Sequence, residues 1–83
     1  MKFVYFAWVR ETIGVDEETL TPPAGVNTVA DMLDWLGGLD SGHGEALKDR
    51  ARIKVAVDQA IAGPDTPIGG ATEIAIFPPV TGG

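Results

Sequence analysis

The sequence predicts an α+β domain: a sheet with one main helix packed on one face. Runs of β-branched and aromatic residues stand near both ends of the chain, and one apolar stripe of helical period lies between them. Glycine and proline clusters separate these segments. With 83 residues the chain can build one core but not a second independent one.

The first strand is expected over Lys2 to Val9, with Phe3, Tyr5 and Ala7 on one face and Val4, Phe6 and Trp8 on the other. Thr12-Ile13-Gly14 reads as a turn, after which Asp16 to Leu20 returns antiparallel to the first strand and stops at Pro22-Pro23. Asn27 or Thr28 can cap the main helix, and Asp31 in its first turn suits the helix dipole. Val29, Met32, Leu33 and Leu36 form its apolar stripe, and Gly37-Gly38 ends it. Glu45 to Arg50 adds a short helical segment. Arg52 to Val57 alternates as a half-buried strand, turns at Asp58-Gln59 and continues as a short strand over Ala60 to Ala62. The glycines and prolines from Gly63 to Gly70 mark loops, and Thr72 to Phe77 is the last strand. The expected order is β-β-α-β-β-β.

Composition excludes several chemistries. There is no cysteine, so disulfides, thiolate metal sites and a side-chain sulfur nucleophile are ruled out. The lone His43, between Gly42 and Gly44, lacks nearby ligands for a metal, and with Ser41 it forms no held nucleophile–base pair. Asp16, Glu17 and Glu18 read as a solvated surface. Gly63-Pro64-Asp65 and Gly69-Gly70 lack the lysine and hydroxyl of a phosphate loop. The net charge of −6 argues against nucleic acid as a partner. It suits either a basic partner surface or simple solubility. The opening residues read as strand rather than signal peptide, and no apolar run is long enough to span a bilayer. A cytoplasmic protein without membrane contact is expected.

Two features do point to function. The sequence ends Phe77-Pro78-Pro79-Val80-Thr81-Gly82-Gly83, which places a carboxylate beside two residues without Cβ atoms, narrow enough for a tight channel. At about 3.3 Å per residue the segment after Phe77 reaches on the order of 20 Å, and the prolines favour extended geometry. A frayed terminus is the plainer alternative. The second feature is that one helix covers one sheet face, while Val4, Phe6, Trp8 and Phe77, joined by Ile61, face the other way. Such a patch marks a protein interface unless a loop folds over it.

Tyr5-Phe6-Ala7-Trp8-Val9-Arg10-Glu11 resembles the opening of the molybdopterin synthase small-subunit family of sulfur carriers. Val57-Asp58-Gln59, the Gly69-Gly70 loop, Glu73-Ile74-Ala75-Ile76-Phe77 and the FPPVTGG ending resemble its closing half. The family more often has asparagine where this chain has Asp58. The resemblance implies a ubiquitin-like β-grasp fold with a mixed sheet, a domain over 1–77 and an extended, flexible tail over 78–83. It also implies a non-catalytic, sulfur-donating subunit. An E1-like adenylyltransferase would use ATP to adenylate Gly83. A sulfur donor protein would then convert it to a thiocarboxylate, and no cofactor would be tightly bound. The large synthase subunit would receive the tail and pass the sulfur to cyclic pyranopterin monophosphate, within a heterotetramer.

On that reading Gly82, Thr81 and Val80 allow passage of the tail, while Phe6, Ile61, Phe77 and Arg10 bind the partners. For Arg10 an ordinary surface ion pair is an equal alternative. A sulfur carrier for thiamine thiazole synthesis shares the fold and the Gly-Gly ending, and a ubiquitin-like protein modifier is the alternative of a different class.

Overall fold

The structure, a computed structural model, describes residues 1–79. The expected tail roles of Val80, Thr81, Gly82 and Gly83 lie outside the described residues. Five strands form one sheet: β1 (Lys2–Tyr5), β2 (Glu17–Thr19), β3 (Lys54–Val57), β4 (Ala60–Ala62) and β5 (Glu73–Phe77). Their spatial order is β2-β1-β5-β3-β4. β1 and β5 run parallel in the centre, and every other pairing is antiparallel. This mixed sheet, with its main helix α2 (Val29–Gly37) on one face, is the ubiquitin-like β-grasp arrangement.

The main helix forms as its sequence dictates. Thr28 and Asp31 make a reciprocal capping box, in which the Thr28 hydroxyl accepts from the Asp31 N–H and the Asp31 carboxylate accepts from the Thr28 N–H. The Asn27 N–H also donates to that carboxylate, and these bonds hold Asp31 below the usual carboxylate range. Val29, Met32, Leu33 and Leu36 are buried against Phe3, Tyr5, Val55, Ile74 and Ile76 of the sheet. Each such side chain contributes about 1.5–3 kcal/mol by leaving water.

The first strand is shorter than expected. β1 stops at Tyr5, and Ala7–Ile13 forms helix α1 where the sequence reading placed the strand's end and a turn. The break is a backbone event: Phe6 remains extended and Ala7 takes a positive φ of 52°. The helix then buries Val9 completely, packs Trp8 and Ile13 against the core and closes on Gly14 at φ 102°. Alternation over Lys2–Trp8 satisfied a strand equally well, which is why Trp8 was placed on the open sheet face. It stands on α1 instead.

The segment after the main helix differs too. Helix α3 spans Ser41–Leu47, ahead of the expected Glu45–Arg50, and a 3₁₀ turn follows at Arg50–Arg52. Asp40 caps α3 by accepting from the His43 N–H. The glycines that suggested a loop serve close packing. A Cβ on Gly42 would lie 3.1 Å from the Thr12 carbonyl oxygen, and one on Gly44 would lie 3.0 Å from that of Gly37. β3 consequently begins at Lys54 rather than Arg52, β2 is trimmed to Glu17–Thr19, and β5 begins at Glu73.

Glu18 is not a solvated residue, nor is His43 in a free loop. His43 is buried, its Nε2 lies 2.6 Å from Glu18 Oε2, and its Nδ1 lies 2.7 Å from Asp40 Oδ1. Tyr5 Oη donates to the same Glu18 oxygen at 2.7 Å. One polar chain thus ties β1, β2 and α3 together, and no buried side-chain nitrogen or oxygen among the described residues lacks a partner.

Candidate functional site

β5 is the middle strand of five, so the chain leaves the sheet between β1 and β3. Ile76 pairs with Tyr5, Phe77 with Lys54, and the Phe6 N–H donates to the Ile76 carbonyl at 3.1 Å. The route out is therefore framed by the end of β1 on one side and the start of β3 on the other. Phe77, Pro78 and Pro79 are half-buried in this frame. Helix α1 closes one flank. The Arg10 N–H bonds back to the Phe6 carbonyl at 3.4 Å, and the Arg52 guanidinium lies 4.8 Å from the centre of the Trp8 ring.

The strand register assembles the open face. Val4 pairs with Ala75, Ala75 with Ala56, and Ala56 with Ile61, a row across four strands opposite the face that α2 covers. The row has two alanines in the middle and larger side chains at its ends. Phe77 and Lys54 form the next pair toward the exit. Ile61 is 70% exposed and Phe6 47%, the two most exposed large hydrophobics among the described residues. The structure thus brings Phe6, Phe77 and Ile61 to one side of the sheet around the exit, with Arg10 one helical turn beyond Phe6.

Other arrangements offer little chemistry. A groove of about 300 Å³ runs between α2 and β3, lined by Val29, Leu33, Val55 and Pro64 together with Arg50 and Lys54. Among the described residues no three His, Cys, Asp or Glu side chains are placed to hold a metal ion, and no helix is long and apolar enough to cross a membrane. The Tyr5–Glu18–His43–Asp40 chain is buried at Tyr5 and His43 and open to solvent at Asp40. Sequence reading missed it because Glu18 and His43 lie on separate elements that only the fold brings together. Burial first, and then Glu18, pushes the Tyr5 hydroxyl far up, so it remains a donor.

Comparison with known proteins places this geometry. The ThiS family model matches residues 3–83. The chain belongs to the ThiS family. The molybdopterin synthase sulfur carrier subunit of Escherichia coli (strain K12) is 34% identical over 83 residues, covering 100% of this chain and 99% of that protein. Among solved structures, the putative molybdopterin converting factor subunit 1 from Pyrococcus furiosus superposes with a TM-score of 0.74 at 26% identity, covering 95% of each chain. SAMP1 from Haloferax volcanii, the small archaeal modifier protein 1, superposes at 0.70 with 29% identity, covering 100% of this chain and 98% of its own. All three are small proteins matched nearly end to end, so the ThiS-family likeness extends to the whole β-grasp domain rather than to one motif.

Proposed function

We propose that this chain is the sulfur carrier subunit of molybdopterin synthase in molybdenum cofactor biosynthesis. The observation that carries this reading is the end-to-end similarity to the Escherichia coli sulfur carrier subunit, joined to a fold that sends its last strand out of the sheet beside an open apolar face. A carboxylate is a poor electrophile, so Gly83 must first be activated. An E1-like adenylyltransferase joins it to the AMP moiety of ATP, releasing pyrophosphate. A sulfur donor protein then displaces AMP, leaving a glycyl thiocarboxylate.

The tail enters the large synthase subunit, where the sulfur passes to cyclic pyranopterin monophosphate and water supplies the oxygen that restores the carboxylate. Gly82, Thr81 and Val80 thread the channel, and Gly82 in particular permits close approach. Phe6, Phe77 and Ile61 seat the domain, with Arg10 beside them. Catalytic acids and bases belong to the partners. The complex is a heterotetramer in the cytoplasm, built on a dimer of large subunits.

The likeness to small archaeal modifier protein 1 favours a second reading, in which Gly83 forms an isopeptide bond with a target lysine. Intact-mass measurement after incubation with ATP, the adenylyltransferase and the sulfur donor separates the two. Replacement of one oxygen by sulfur, followed by loss of that sulfur to the pyranopterin when the large subunit is added, is expected of the carrier. A covalent adduct with another protein identifies the modifier. Thiocarboxylate that the pyranopterin system leaves untouched points to another sulfur pathway such as thiazole synthesis. A Gly82→Trp chain is expected to fold but to lose thiocarboxylation or transfer; normal transfer would remove the channel from this scheme.

A further inference from the structure

The chain carries twelve acidic and six basic residues, yet its cations are not evenly placed. Lys2 pairs with Glu17, Lys48 with Glu45 and Arg50 with Asp34. The other three, Arg10, Arg52 and Lys54, have no carboxylate partner among the described residues. All three lie on segments that border the end of β5. Lys54 is in register with Phe77, and Arg52 lies two residues upstream of it over Trp8. Arg10 bonds through its backbone to Phe6, which bonds in turn to Ile76. The acids in nearby sequence do not cancel this charge in the same way. Asp34 is taken by Arg50, and neither Asp49 nor Glu11 forms an ion pair with any of the three among the described residues.

We propose that Arg10, Arg52 and Lys54 form a positive rim around the tail exit that docks against an acidic surface bordering the partner's tail-receiving channel. The partner is the large synthase subunit, so the inference rests on the sulfur-carrier reading and specifies the surface that reading requires. The physical case is one of orientation. A chain of net charge −6 approaching an acidic surface is repelled in most attitudes, and a local positive rim lowers the barrier only when the tail leads. Stacking on Trp8 holds the Arg52 guanidinium plane while leaving its N–H edge free to meet a carboxylate in a forked pair. Lys54 stands at the edge of the apolar row, where docking excludes water and strengthens an ion pair. Rim charges of this type act chiefly on the association rate and its salt dependence.

The test compares the full chain with Lys54→Glu, Arg10→Glu and Lys2→Glu in stopped-flow association with the purified large subunit across a salt series. All three substitutions change net charge equally, but Lys2 lies at the opposite end of β1, in register with Glu73. Lys54 is exposed, so its substitution does not test folding. Lys54→Glu and Arg10→Glu are expected to slow association about tenfold at low salt, with the difference vanishing near about 1 M. Lys2→Glu should change it by less than about twofold. Equal slowing by Lys2→Glu would assign the effect to net charge and overturn the rim, as would wild-type rates in Lys54→Glu. If wild type binds and the reversals do nothing, the sulfur-carrier reading stands and only the rim falls. If wild type itself fails to bind the large subunit, both fall.

Discussion

Both ring nitrogens of His43 face carboxylate oxygens, Asp40 Oδ1 at 2.7 Å and Glu18 Oε2 at 2.6 Å. An ionised carboxylate only accepts, so both nitrogens donate and the ring is held as imidazolium. Burial, the largest single influence, pushes the ring toward neutrality. The hydrogen bonds and charges of Glu18 and Asp40 together outweigh it, and the net shift is upward from 6.5. Asp40 shifts downward from 3.8, chiefly because it accepts from the His43 backbone N–H and then from the ring. The signs define a window. The stability contributed by His43 is complete below 6.5 and is lost as pH rises through its elevated native value. That of Asp40 is complete above 3.8 and is lost as pH falls through its lowered native value. Urea unfolding as a function of pH should therefore show a plateau between 3.8 and 6.5 with a fall on each side. His43→Gln should cost about 2 kcal/mol on the plateau and flatten the alkaline limb. An alkaline limb unchanged in that variant would assign the titration to another group.

Among the elements, the β3–β4 hairpin shows how a turn is set from both sides. Val57 pairs with Ala60, leaving Asp58 and Gln59 as a two-residue loop with φ of 48° and 72°, the positive pair a type I′ turn requires. Asp58 is held there because its Oδ1 accepts from the Thr72 and Glu73 N–H groups at 2.9 Å each, clipping the turn to the start of β5. An asparagine oxygen would accept these same bonds, so the geometry of the turn does not require the charge of Asp58. Gln59 has no such side-chain anchor and bears the strain of a left-handed conformation. Gln59→Gly should raise stability by about 0.5–1 kcal/mol in chemical denaturation, the relief of strain exceeding the added freedom of the unfolded chain. A lower midpoint would show that no strain is held there. This hairpin, α2 and β5 were legible in the sequence because each is announced by its own residues: a turn pair, a capped apolar stripe, an alternating run. α1 was not, since nothing in the side chain of Ala7 announces a positive φ. α3 was not, since its glycines answer to the carbonyls of Thr12 and Gly37, which only tertiary packing brings near. The apolar side chains of the candidate site were readable for the same local reason, except Trp8, which followed α1 off the sheet.

Over the whole molecule, the two faces of the sheet differ in what packs on them. Phe3, Tyr5, Ile74, Ile76 and Val55 meet α2 and the flanking helices in a single core, while Val4, Ala75, Ala56 and Ile61 line the side without a helix. A domain of this length has roughly 4–12 kcal/mol of net stability, so one cavity in the core is a large fraction of it. Leu36 is fully buried, and Leu36→Ala should cost about 3 kcal/mol and lower the melting temperature by roughly 10 °C or more. Ile61, 70% exposed on a three-residue edge strand, has little transfer free energy to lose. Ile61→Ser should stay within about 0.5 kcal/mol of wild type and still weaken binding to the large subunit, because the apolar row loses the end that stands proud of its two alanines. Calorimetry and binding measured on the same two variants should therefore give opposite rankings, with Leu36→Ala worse in stability and Ile61→Ser worse in affinity for whatever fraction is folded. If Ile61→Ser melts as early as Leu36→Ala, the uncovered face belongs to the core after all and has no surface to lend a partner.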